Sequence, residues 1–114
     1  MSTVKTVDAT LVRDAYLAGM RKVAEELITH IETWLAEAKY MEDIDRYSFL
    51  TEGCLTLRFP ISAILNTEDE IQYRWSHDLI NEAVREHFTN LGFETPYSSE
   101  TIVLKLAPFE KGLL

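Results

Sequence analysis

The sequence predicts an α+β domain in which two long amphipathic helices, about residues 10–41 and 68–91, pack on a small sheet of two to three strands. Three observations predict it. Apolar residues recur at steps of three and four through residues 11–41 and again through 68–91. Two short runs, about 54–61 and 101–107, alternate apolar and polar residues as strands do. Glycine and proline punctuate the chain between these runs rather than inside most of them.

The first helix carries Tyr16, Met20, Val23, Leu27, Ile31, Trp34, Ala38 and Met41 on one face, widened by Leu17, Ala24, Ile28 and Leu35. That face is broader than a coiled-coil seam. Asp8 or Thr10 can cap its start, because either side-chain oxygen can accept from an unpaired backbone N–H. At 1.5 Å per residue such a helix runs about 45 Å. A compact domain of this length has a radius of gyration of about 13 Å, so the helix outruns its own domain. One end then needs a cover from outside. Most of the stripe is expected to be core. Met20, Leu27, Ile31, Trp34 and Met41 are the candidate interface residues, since Met and Trp are enriched where proteins meet.

The acidic stretch 42–46 ends or breaks this helix and is expected to be solvated. Leu55, Leu57, Phe59 and Ile61 form one side of the first strand, with Gly53 as a turn residue before it and residues 47–50 as either a pairing strand or an extended lead-in. Pro60 has no N–H to give a ladder, so it belongs at a sheet edge or at the strand's own end. Thr67 followed by Glu70 reads as a capping box opening the second helix. Ile71, Trp75, Leu79, Ala83, Val84, Phe88 and Leu91 are its expected apolar side. Glu70–Arg74 and Arg74–Asp78 support it at i,i+4 spacing. Gly92 followed by Phe93 reads as a left-handed stop, with Phe93 folding back on the last turn. A loop through Pro96 leads to the second strand, where Ile102, Leu104 and Leu106 share a face. Parallel and antiparallel pairings can both be drawn. Two strands alone are marginal in water, so a third from this chain or another subunit is expected.

Composition bounds the function. The chain has 114 residues, one domain's worth, with residues 1–8 and 110–114 expected to fray. A net charge of −8 disfavours nucleic acid and anionic membranes and permits a basic protein partner. Cys54 is the only cysteine, which excludes an intrachain disulfide, and it reads as a small buried hydrophobe. No signal peptide or membrane-length apolar run is present, so the expected compartment is the cytoplasm.

No catalytic, cofactor or metal constellation stands out. Ser76, His77 and Asp78 have the letters of a hydrolase triad, but consecutive helical residues point about 100° apart. Glu26 and His30 can share one ion at i,i+4 but lack further ligands. His77 and His87 are about 15 Å apart along one helix. Asp78, Glu82 and Glu86 form a carboxylate ladder on a polar face. The expectation is a non-enzymatic interaction module acting as a homo-oligomer, an accessory or structural protein that also binds an unidentified protein. The alternative is a small acidic inhibitor, a DNA-mimic-like decoy whose Asp78–Glu82–Glu86 face covers a basic site. A small enzyme completed across a subunit interface through His30, His77 or His87 ranks behind both.

Overall fold

The structure, a computed structural model, describes residues 8–37, 48–51 and 54–106. The side chains of residues 48–51 and 54 lie outside the described set, and with them the expectation for Cys54. Met41, the acidic stretch 42–46, Gly53 and the two termini, 1–7 and 107–114, also lie outside it.

The elements follow as α1 (Ala9–Glu37), β1 (Ser48–Thr51), β2 (Cys54–Pro60), α2 (Ile61–Ile64), α3 (Thr67–Asn90) and β3 (Thr101–Lys105). This is the α+β arrangement expected. The strands form one antiparallel sheet in the order β1-β2-β3, which decides between the two pairings the sequence left open. The third strand comes from this chain. Leu57 stands opposite Leu104 and Phe59 opposite Ile102, and all four side chains are buried. Period-two alternation therefore aims one face of β2 and β3 at the helices. Pro60 is the last residue of central strand β2, so its missing N–H interrupts no bond within the strand. The short helix α2, unforeseen in the sequence, turns the chain there, and the Ile61 N–H donates to the Glu100 carbonyl at 3.0 Å.

Asp8 caps α1, its carboxylate accepting from the Leu11 N–H at 2.8 Å. Val23, Ala24, Leu27 and Ile31 are buried against α3 and the sheet, and Trp34 sets its ring edge-on to Phe59 at 5.3 Å. The buried run begins only at Val23. Ahead of it Val12 and Tyr16 continue the same helical face, yet they are 43% and 60% exposed. Lys22 meets Asp69 near the start of α3 and Glu32 meets His87 near its end, so the two helices run in the same sense. Among the described residues no core covers the first turns of α1, where Leu11, Val12 and Tyr16 are exposed.

Two expectations for α3 need correction. Its N-cap is Asn66, not Thr67: the Asn66 side-chain oxygen accepts from the Asp69 N–H at 2.8 Å, and its amide donates to the Asp69 carboxylate at 3.1 Å. The reciprocal pairing of a capping box is present one residue earlier, with Asp69 in the place assigned to Glu70. Glu70 instead pairs with Arg74 at 2.8 Å, while Asp78 lies 3.0 Å from His77 rather than on Arg74. The second correction concerns the buried face. Tyr73, Ile80, Asn81, Val84 and Phe88 point inward, whereas Ile71, Trp75, Leu79 and Leu91 are exposed. Helix α3 is apolar on two faces, and Ser76, with φ −131° and ψ 24°, breaks its regular phase between them.

The C-terminus of α3 is as expected. Gly92 has φ +98°, its N–H donates to the Thr89 carbonyl at 3.0 Å, and the Phe93 N–H reaches back to Phe88 at 3.2 Å. Phe93 packs edge-on against the Phe88 ring at 6.1 Å. This is a Schellman stop with its hydrophobic contact.

Candidate functional site

The residues that converge most densely lie where α3 meets residues 94–100. That segment is bound to the helix by side chains. The buried Asn81 amide donates to the Ser98 carbonyl at 2.9 Å and to the Tyr73 hydroxyl at 3.0 Å, and Tyr73 in turn donates to the Ser99 carbonyl at 3.2 Å. Arg85 donates through Nε to the Thr95 carbonyl at 2.9 Å and stacks over the Tyr97 ring at 5.6 Å. The Thr89 and Thr95 hydroxyls meet at 2.7 Å, and His77 Nε2 lies 3.2 Å from the Tyr97 hydroxyl. Glu94 and Lys105 exchange two backbone bonds, which fixes the segment to β3. Burial pushes the Tyr73 phenol above its ordinary pKa, and the bond from Asn81 partly opposes it. The Asn81 side-chain oxygen is buried and has no hydrogen-bond partner among the described residues.

Two concavities flank this segment. A cleft of about 470 Å³ lies at the start of α3, lined by Glu70, Tyr73, Arg74, His77 and Ser99 among others. A shallower groove of about 580 Å³ runs beside Asp78, Glu82 and Glu86, with Arg85 and Tyr97 at its wall. All three carboxylates of the expected ladder are exposed.

The candidate interface residues are scattered by depth. Leu27 and Ile31 are fully buried in the chain's own core and have no surface to offer a partner. Met20 and Trp34 are half-buried and pack against that core. The face that is open was missed as such: Ile71, Trp75 and Leu79, at 52%, 85% and 57% exposure. A signal for it was available. Asp78 follows Trp75 and Glu82 follows Leu79 at a spacing of three, so acids share the helix side with this stripe.

Glu26 is drawn to Asp69 of α3. A hydrogen bond with Asp69, then burial and the Asp69 charge, raises the Glu26 pKa, while Lys22, 3.8 Å from Asp69, pulls the other way. His30 is exposed. No group of three metal-ligating side chains occurs among the described residues. His77 lies 3.0 Å from Asp78, but the Ser76 hydroxyl accepts from Gln72 at 3.3 Å, and the three do not form a relay. His87 pairs with Glu32 of α1, so His77 and His87 serve separate contacts.

No family model matches the chain, and no curated protein or solved structure shows detectable similarity to it. Among the described residues no helix is long and apolar enough to cross a membrane.

Proposed function

We propose that the protein is a non-enzymatic interaction module that works as a homo-oligomer, an accessory or structural protein of the cytoplasm. The observation that carries this reading is the uncovered start of α1. Val12 and Tyr16 extend the buried face of the helix ahead of Val23, and no core among the described residues covers them, which suits a seam with another molecule. Arg13 and Asp14 sit side by side with their charged atoms 3.7 Å apart, so this stretch is close to neutral. An antiparallel second copy would set each against its opposite and close Tyr16 and Val12 into a shared seam.

Light scattering on the eluting protein at two concentrations tests it. A mass at a multiple of 13.1 kDa, returned to 13.1 kDa by Tyr16→Glu with helix content retained, supports the reading. A mass of 13.1 kDa at every concentration overturns it.

A second reading is an acidic inhibitor that covers a basic site on its target, as a DNA-mimic-like decoy does. Asp78, Glu82 and Glu86 are exposed along one groove, where Arg85, held on Thr95 and Tyr97, is the one arginine against three carboxylates. Capture of a basic target that is abolished by added salt favours this reading, and salt-insensitive capture opposes it.

A further inference from the structure

Building on the interaction-module reading, we infer that the outer face of α3 is a docking surface for a cationic amphipathic helix of a second protein, with Trp75 as its anchor. Trp75 is 85% exposed, an unusual position for the residue type that loses most by contact with water; Ile71 precedes it by one turn and Leu79 follows it across the break at Ser76, both exposed. The three span about 12 Å of helix, the length over which a docked helix presents two or three anchors.

The rim decides the partner's chemistry. Glu68, Asp78, Glu82 and Glu86 are all exposed on α3. Of the two arginines of α3, Arg74 pairs with Glu70 at 2.8 Å, and Arg85, held by the Thr95 carbonyl and the Tyr97 ring, stands beside these carboxylates but is outnumbered by them. A second copy docking stripe to stripe would bring these carboxylates against their own counterparts, and like charges across an interface oppose pairing. Nucleic acid and anionic lipid meet the same repulsion. An apolar seam bordered by Lys and Arg satisfies both the stripe and the rim.

The probes are two synthetic helical peptides with the same leucine seam, one rimmed with lysine and one with glutamate. Binding is read by calorimetry on the unmodified chain and by Trp75 emission in a Trp34→Phe variant, each at low and high salt. The lysine peptide is expected to bind, to blue-shift Trp75, and to retain part of its affinity at high salt through the apolar anchor. Trp75→Ala should weaken it by about thirtyfold, the scale of an interface hot spot, while Glu82→Lys with Glu86→Lys should turn preference toward the glutamate peptide. Absence of binding, equal binding of both peptides, or an affinity indifferent to Trp75→Ala overturns the inference. So does a native mass that falls on Trp75→Glu, which would make a second copy the occupant. Native mass after Tyr16→Glu reports on the homo-oligomer reading, and peptide binding reports on this surface, so either can fail alone.

Discussion

The Asp69 carboxylate, buried in the first turn of α3, accepts a hydrogen bond from the Asn66 amide at 3.1 Å. The same Asn66 side chain accepts from the Asp69 N–H, so the two residues close the start of the helix reciprocally. Replacing Asn66 with Ala should cost about 1 kcal/mol, the usual loss of an N-cap, whereas Thr67→Ala should change stability by less than about 0.5 kcal/mol as an exposed substitution. Urea unfolding of the two variants checks the assignment. Equal losses would mean that Thr67 shares the cap.

Asp69 also sets the pH response. Its hydrogen bond and its charge raise the Glu26 pKa above 4.5. The folded state therefore binds this proton more tightly than the unfolded state does. The contribution is fully present below pH 4.5 and is lost as pH rises through the raised folded value. Glu26→Gln stays neutral and can still donate to Asp69. It should match the unmodified chain in acid and exceed it at neutral pH by less than about 1 kcal/mol, the range of a partly exposed pair. Unfolding curves on both sides of that window measure the difference, and parallel pH profiles would refute it.

Two glycines should respond with opposite signs. Gly92 has φ +98° with open space around it, so Gly92→Ala meets backbone strain alone and should lose about 1–2 kcal/mol. Gly19 lies inside α1, where an added methyl would meet the Gln72 side chain at an ordinary 3.6 Å. Gly19→Ala should gain about 0.5–1 kcal/mol from helix propensity. Thermal denaturation of both variants tests the pair together.

What the sequence made legible follows from locality. The Gly92–Phe93 stop and the alternation of Leu57, Phe59, Ile102 and Leu104 are set by neighbouring residues, and the structure contains them as read. The cap slipped by one residue because Asn66, Thr67 and Asp69 can all serve a helix start, and only the chain's entry from α2 picks Asn66. The anchoring of residues 94–100 was hidden, since Asn81 and Arg85 act across the fold on carbonyls that no spacing rule identifies. The open surface was misassigned for a related reason. Asn81 does not count as apolar in a periodicity search, yet its hydrogen bond to the Tyr73 hydroxyl lets both be buried.

Asn81 should be the least tolerant polar position. Asn81→Asp removes both donors and places a carboxylate toward the Ser98 carbonyl in a site with almost no water access. The loss should exceed about 3 kcal/mol at neutral pH, the scale of an unpaired buried charge. Asn81→Ala should lose about 1–3 kcal/mol from the stranded partners. Hydrogen exchange should show residues 94–100 released before the core in the alanine variant. Uniform protection across both regions would mean that Arg85 and Thr89 suffice to hold the segment.

The two apolar faces of α3 give the sharpest contrast in stability. Phe88 is fully buried and meets Phe93 and the core, so Phe88→Ala should cost about 3–5 kcal/mol in lost transfer energy and cavity formation. Trp75 is the larger side chain, yet at 85% exposure it contributes little to the isolated fold, and Trp75→Ala should stay within about 0.5 kcal/mol. Chemical unfolding at low protein concentration, where self-association is minimal, compares the two directly. If Trp75→Ala proved as costly as Phe88→Ala, the inward face of α3 would be the one that periodicity first indicated, and the surface assigned to a partner would be core.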